Sequence, residues 1–190
     1  MSKIILIIGG KPIELKDKEI LRTYENICRI NLNMKYKDPE SRDIFYVNNH
    51  INSNMVKSRI DPKQLKNTIY KFVDLNVLEK FYNMLNKKEY SEIIEQYESG
   101  RNTKSNKFLE ELGCPYKFSK VPRCGYQAIL YFLKNNYKVH VMGFSVKDDN
   151  ICSYYNDRII KGPSGCHNHS NEIIILNWLI DNKFIDKVYI

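Results

Sequence analysis

Apolar residues follow two patterns along this chain. The first is the short unbroken run. Ile4-Ile5-Leu6-Ile7-Ile8 has no polar interruption and is closed by Gly9-Gly10. Such a β-branched run predicts a strand buried on both faces, as in a parallel sheet. The glycines end the strand and let the backbone approach a ligand closely. Asn26 to Asn31 and Asp43 to Asn48 read as a second and a third strand. Lys138 to Gly143 and Lys187 to Ile190 read as later ones.

The second pattern is helical spacing. Asp17 to Tyr24 is a short helix candidate. Arg123 to Asn135 carries Ala128, Leu130, Tyr131 and Leu133 on an amphipathic helix. Ser170 to Asn182 is a further helix, with Ser170 as its N-cap and Trp178 as a packing residue. From Asp61 to about Gly100 the pattern also turns helical, with Leu75, Leu78, Phe81, Tyr82 and Leu85 in register. Lys107 to Leu112 adds a helical turn, and Asp148 to Ser164 reads as a loop. Strands alternating with helices predict an α/β fold: a mostly parallel, Rossmann-like sheet with helices on both faces. Residues 1–190 form one domain in this reading, with no internal repeat and no low-complexity linker.

Composition narrows the class. The 190 residues are 43% hydrophobic and 27% charged, enough apolar side chain for a real core. Lys and Arg outnumber Asp and Glu by 30 to 22, for a net charge of +8. That balance favours acidic partners such as nucleotides. The lysines are scattered, and no nucleic-acid recognition signature is present, so nucleic acid is not the expected partner. Five cysteines, an odd number, argue against a disulfide framework. The first apolar run is too short for a signal peptide or a transmembrane segment, so the expected location is the cytoplasm.

Open parallel sheets bind ligands beyond the carboxyl ends of their strands. Gly9-Gly10, Asn31, Asn48-Asn49 and Gly143-Phe144-Ser145 all fall at such ends. Amides there suit a ribose or a phosphate, although asparagines also build turns. Neither a G-x-G-x-x-G fingerprint nor a Walker A pattern is present, which argues against an NAD enzyme or a P-loop NTPase. No Asp-x-Asp pair follows a strand, and Asp148-Asp149 are adjacent and substitute poorly. Chemistry without a metal or other cofactor is therefore expected.

Four segments resemble the motifs of eukaryotic-type sialyltransferases, in the family's order. Ile7-Ile8-Gly9-Gly10 with Cys28-Arg29-Ile30-Asn31 is similar to the large motif. Pro122-Arg123-Cys124-Gly125, an apolar helix and a strand ending Met142-Gly143-Phe144 resemble the small motif. Ser153-Tyr154-Tyr155-Asn156 resembles the third motif, and His167-x4-Glu172 the very small motif. The resemblance implies a variant GT-A glycosyltransferase fold, a CMP-sugar donor, a glycan acceptor, inversion at the anomeric carbon and no metal. It makes His167 the catalytic base, a role that neutral imidazole suits. It puts Gly9, Gly10, Asn31 and Asn48 at the nucleotide, Arg123, Cys124 and Gly125 beside the donor, and Tyr154 and Tyr155 near the leaving phosphate. The segment from about 55 to 120 matches no motif and is expected to form a helical acceptor side.

The chain departs from the family's pattern at Gly10, at Arg123-Cys124 and at Ser153. Those departures motivate an alternative: a catalytically inactive nucleotide- or glycan-binding domain of the same fold. His169 competes with His167 for the role of base. Cys166-His167-Asn168-His169 with Cys152 fits no familiar zinc spacing, and Cys124 lacks a paired base for nucleophilic work. His140, inside a strand, reads as structural.

Overall fold

The computed structural model describes residues 3–11, 13–30, 36, 43–47, 69–72, 93–96, 101–147, 151–155, 158–161 and 167–189. For 44–47, 69–72, 93–96, 101, 151–155 and 158–161 it describes the backbone alone. Nine strands are found among these residues: β1 (Ile4–Ile8), β2 (Ile27–Ile30), β3 (Ile44–Val47), β4 (Ile69–Phe72), β5 (Ile93–Gln96), β6 (Lys138–Met142), β7 (Ile151–Tyr155), β8 (Arg158–Lys161) and β9 (Ile185–Tyr189). The helices among the described residues are α1 (Asp17–Arg22), α2 (Arg101–Glu111), α3 (Cys124–Lys134) and α4 (His169–Asp181).

Seven strands form one sheet in the order β5-β4-β3-β2-β1-β6-β9. Every neighbouring pair in it is parallel. The α/β architecture is thus the Rossmann-like one expected from the alternation of runs. β1 lies inside it, between β2 and β6, and Ile5 to Ile8 are fully buried. Alternate residues of β1 serve opposite faces, because successive side chains of a strand point to opposite sides. Ile5 and Ile7 join Val139 and Val141 under α3, α4 and α2, with Phe132, Leu176 and Leu109 among the contributors. Leu6 and Ile8 meet Leu21 of α1, Ile13, Ile27 and Met142 on the other face. Each fully buried aliphatic side chain contributes about 1.5–3 kcal/mol, so these two layers are the main stabilising force. Arg29 of β2 and Asp43 at the start of β3 form an ion pair buried within the structure.

The structure changes three expectations. First, the region from Asp61 to Gly100 is not wholly helical, since β4 and β5 extend the parallel sheet within it. Ile69-Tyr70-Lys71-Phe72 and Ile93-Ile94 are runs too short for helical periodicity to detect, yet rich in the β-branched and aromatic types that fit a pleated surface. Leu75, Leu78, Phe81, Tyr82 and Leu85 lie outside the described residues. Second, the expected loop from Asp148 to Ser164 contains an antiparallel hairpin of β7 and β8. Third, Asn168, not Ser170, caps α4: its side-chain oxygen accepts from the Asn171 N–H at 3.1 Å. No helix among the described residues is long and apolar enough to cross a membrane.

Candidate functional site

The strand order reverses at β1. From β1 the chain builds outward through β2 to β5, then returns to place β6 on the other side of β1. Crevices at such switch points, at the carboxyl ends of the strands, are where open α/β sheets bind ligands. Here the switch point falls between Ile8-Gly9 and Met142-Gly143. The two ends stay joined past the strands: Gly9 N–H donates to the Met142 carbonyl at 2.8 Å and Lys11 N–H to the Gly143 carbonyl at 3.1 Å. Gly143 adopts φ +70°, a conformation that favours glycine.

α3 leads into β6 and α4 into β9 through short turns, so both helices begin at this same carboxyl edge. Phe144 joins the parts. A methyl group on Gly125 would lie 2.7 Å from its ring, and one on Gly9 would lie 2.9 Å from it. The ring leaves no room for a side chain at Gly125, and at Gly9 the Gly143 carbonyl, 2.5 Å from such a methyl, crowds it as well. Gly9 and Gly125, assigned to the donor by resemblance, are therefore brought together around Phe144, while Gly10 is exposed. Cys124 is buried at the helix start. Asn31 and Asn48 lie outside the described residues, as do the side chains of Tyr154 and Tyr155 on β7.

Beside the switch point, two segments far apart in sequence converge. Residues 115–123 form a strap that enters α3, and residues 167–172 enter α4. The Glu172 carboxylate, almost wholly buried, accepts from the Arg123 main-chain N–H at 2.6 Å and from the Arg123 Nε at 2.5 Å. Burial pushes the Glu172 carboxyl above its ordinary value, and the adjacent Arg123 charge opposes that shift. The Arg123 guanidinium also lies 5.6 Å from the centre of the Tyr126 ring. Arg123 was expected beside the donor. Its guanidinium ties the start of α3 to the first turn of α4, so a carboxylate ligand there would have to compete with Glu172.

The two rim histidines hold their protons on opposite nitrogens. His167 Nδ1 lies 2.7 Å from the Val121 carbonyl oxygen. A carbonyl only accepts, so Nδ1 carries the proton and Nε2 of neutral His167 bears the basic lone pair. His169 Nδ1 lies 2.5 Å from a nitrogen of Arg123. A guanidinium only donates, so Nδ1 of His169 is the acceptor and its lone pair is already engaged. The choice between two histidines two residues apart thus becomes a difference of chemistry.

Sequence reasoning missed the strap's own supports. Asn106 of α2 and Asn171 of α4 bind its main chain, and Gln127 donates to the Pro122 carbonyl at 2.5 Å. No signal pointed to them, because an asparagine on a polar helix face looks like a solvated residue. No metal-binding group of three or more His, Cys, Asp or Glu occurs among the described residues. Cys152 and Cys166 lie outside the described side chains. No family model matches this chain, and no curated protein matches it.

Proposed function

We propose that this chain is an inverting, metal-independent glycosyltransferase resembling the sialyltransferases, which moves a sugar from a CMP-activated donor to a glycan hydroxyl. In that reaction the acceptor oxygen attacks the anomeric carbon, and CMP departs with the electron pair of the broken bond. His167 Nε2 takes up the hydroxyl proton. One observation carries the reading: His167, held by the Val121 carbonyl beside the start of α3, keeps Nε2 basic, while the basic nitrogen of His169 is engaged by Arg123. The nearness of the small-motif-like start of α3 to the His167-x4-Glu172 segment, across 49 residues of sequence, adds support. So does a topological switch point at Gly9 and Gly143. Gly9, Gly10, Asn31, Asn48, Cys124, Gly125, Tyr154 and Tyr155 remain the proposed donor surroundings, with Arg123 as the anchor behind them.

Replacing His167 with Ala should abolish sugar transfer from a CMP-sugar and leave CMP affinity unchanged by calorimetry. Full activity in that variant would sink the mechanism.

A second reading, a nucleotide- or glycan-binding domain without catalysis, draws on Phe144. Its ring fills the space between Gly9 and Gly125, where the first reading brings a donor close to the backbone. A thermal shift with CMP, but not with UDP or GDP, together with no acceptor-dependent product, would favour it.

A further inference from the structure

The main chain of the strap is held by side chains in place of neighbouring strands. Phe118 gives its N–H to Asn106 Oδ1 at 2.7 Å and takes Asn106 Nδ2–H on its carbonyl at 3.1 Å. The flanking groups turn the other way. Asn171 Nδ2 donates to the Lys117 carbonyl at 3.2 Å, and Asn171 Oδ1 accepts from the Ser119 N–H at 3.0 Å. An amide side chain offers the same donor and acceptor pair as a peptide group. In extended backbone, successive peptide groups point to alternate sides. Asn106 from α2 and Asn171 from α4 therefore flank residues 117–119 as two strands would. Asn168 adds a bond from its Nδ2 to Ser119 Oγ at 2.9 Å, and Phe118 buries its ring below. Asn102 steadies Asn106 by accepting from its Nδ2 at 3.1 Å.

Val121 lies two residues beyond this clamp and two before Arg123, whose N–H is fixed by Glu172. Its carbonyl is thus held from both sides, and it is the group that puts the proton of His167 on Nδ1.

We infer that Asn171 and Asn106 are positioning residues: by clamping residues 117–119 they fix the Val121 carbonyl, and through it the tautomer of His167. They touch neither base nor substrate. The catalytic consequence rests on the function proposed above, whereas the tautomer does not.

The test uses the full chain with 15N-labelled histidine, with the His167 signals assigned by their loss in His167→Gln. In its neutral form, wild-type His167 carries its proton on Nδ1. Asn171→Ala and Asn106→Ala each move the population towards the Nε2–H form that an unconstrained histidine side chain prefers. Asn171→Asp keeps the acceptor for Ser119 N–H but loses the donor to Lys117, and it falls between. This milder variant carries the same test should either alanine variant not fold. Asn182→Ala, which removes a bond to the Trp178 carbonyl at the far end of α4, leaves the tautomer unchanged. With a CMP-sugar, kcat of Asn171→Ala falls roughly ten- to a hundred-fold at unchanged donor KM, the scale of a misplaced catalytic group. Folded clamp variants that keep the wild-type tautomer overturn the inference, as does a tautomer change in Asn182→Ala. A tautomer that moves while even the wild type turns over no CMP-sugar leaves the positioning intact and removes the proposed function.

Discussion

Two polar clusters, one on the rim and one on the sheet, hold histidines in different ways. On the rim, His167 faces a carbonyl and His169 a guanidinium, and each partner has one role only. On the α1 face of the sheet, His140 Nδ1 lies 2.5 Å from the Tyr24 hydroxyl, which lies 2.8 Å from the Tyr189 hydroxyl. A hydroxyl both donates and accepts. The chain of bonds can therefore run from Tyr189 through Tyr24 to a neutral His140, or reverse when His140 is protonated. Lys187 lies 4.8 Å over the Tyr189 ring at the edge of this group. The contrast teaches that the partner's chemistry, not burial alone, decides whether an imidazole is locked. The rim fixes proton positions; the sheet cluster tolerates either.

The largest effect that would break this contrast concerns the rim's ion pair. Arg123→Met leaves Glu172 buried without its guanidinium partner, and it is expected to destabilise the fold by about 3 kcal/mol in urea unfolding. The double variant with Glu172→Gln recovers more than half of that loss. A negligible effect of Arg123→Met would mean that the rim is not anchored by the pair. Next, Gly125→Ala forces the Phe144 ring aside and is expected to cost about 2 kcal/mol; an unchanged melting temperature would count against the packing described. On the sheet, Tyr24→Phe removes the hub hydroxyl and is expected to cost about 1 kcal/mol.

The smallest effects are those of pH, and their signs separate the clusters. Burial holds His140 below its ordinary value of 6.5, with Asp186 opposing and Lys187 and Lys138 adding to the shift. The unfolded chain therefore binds that proton more readily. The contribution of His140 is complete above pH 6.5 and is lost as the pH falls through 6.5 towards the depressed value. Glu172 is shifted upward from 4.5. Its contribution is complete below pH 4.5 and is lost as the pH rises through the raised value. Acidification should thus lower wild-type stability relative to His140→Phe and raise it relative to Glu172→Gln. Urea midpoints of all three proteins across this range check both signs, and equal signs would erase the contrast.

Much of the sheet was legible because a buried strand advertises itself locally. Ile4–Ile8 is an unbroken apolar run and Lys138–Met142 an alternating one, and glycine ends both. β4 and β5 were not legible, because four residues inside a charged stretch leave no period to read. The cap of α4 was misplaced by two residues, since Ser170 and Asn168 both have capping side chains and only the fold selects one. On the rim, the spacing of His167 and Glu172 stood out only through the resemblance to the very small motif. The engagement of Arg123 by Glu172 was not legible, because an ion pair across 49 residues depends on the tertiary fold. Asn106 and Asn171 were silent for the same reason: their bonds are to main-chain groups, which carry no residue-specific signature.

The strap also bears on the order of assembly. Its partners lie on both sides of it in sequence. Asn106 precedes it, whereas Gln127, His167, Asn171 and Glu172 follow. As a ribosome releases the chain from its amino end, α2 can capture Phe118 early. Val121 and Arg123 must wait until residues 167–172 emerge. The rim is therefore completed only after the strap itself has emerged, by the same helix that packs against β9.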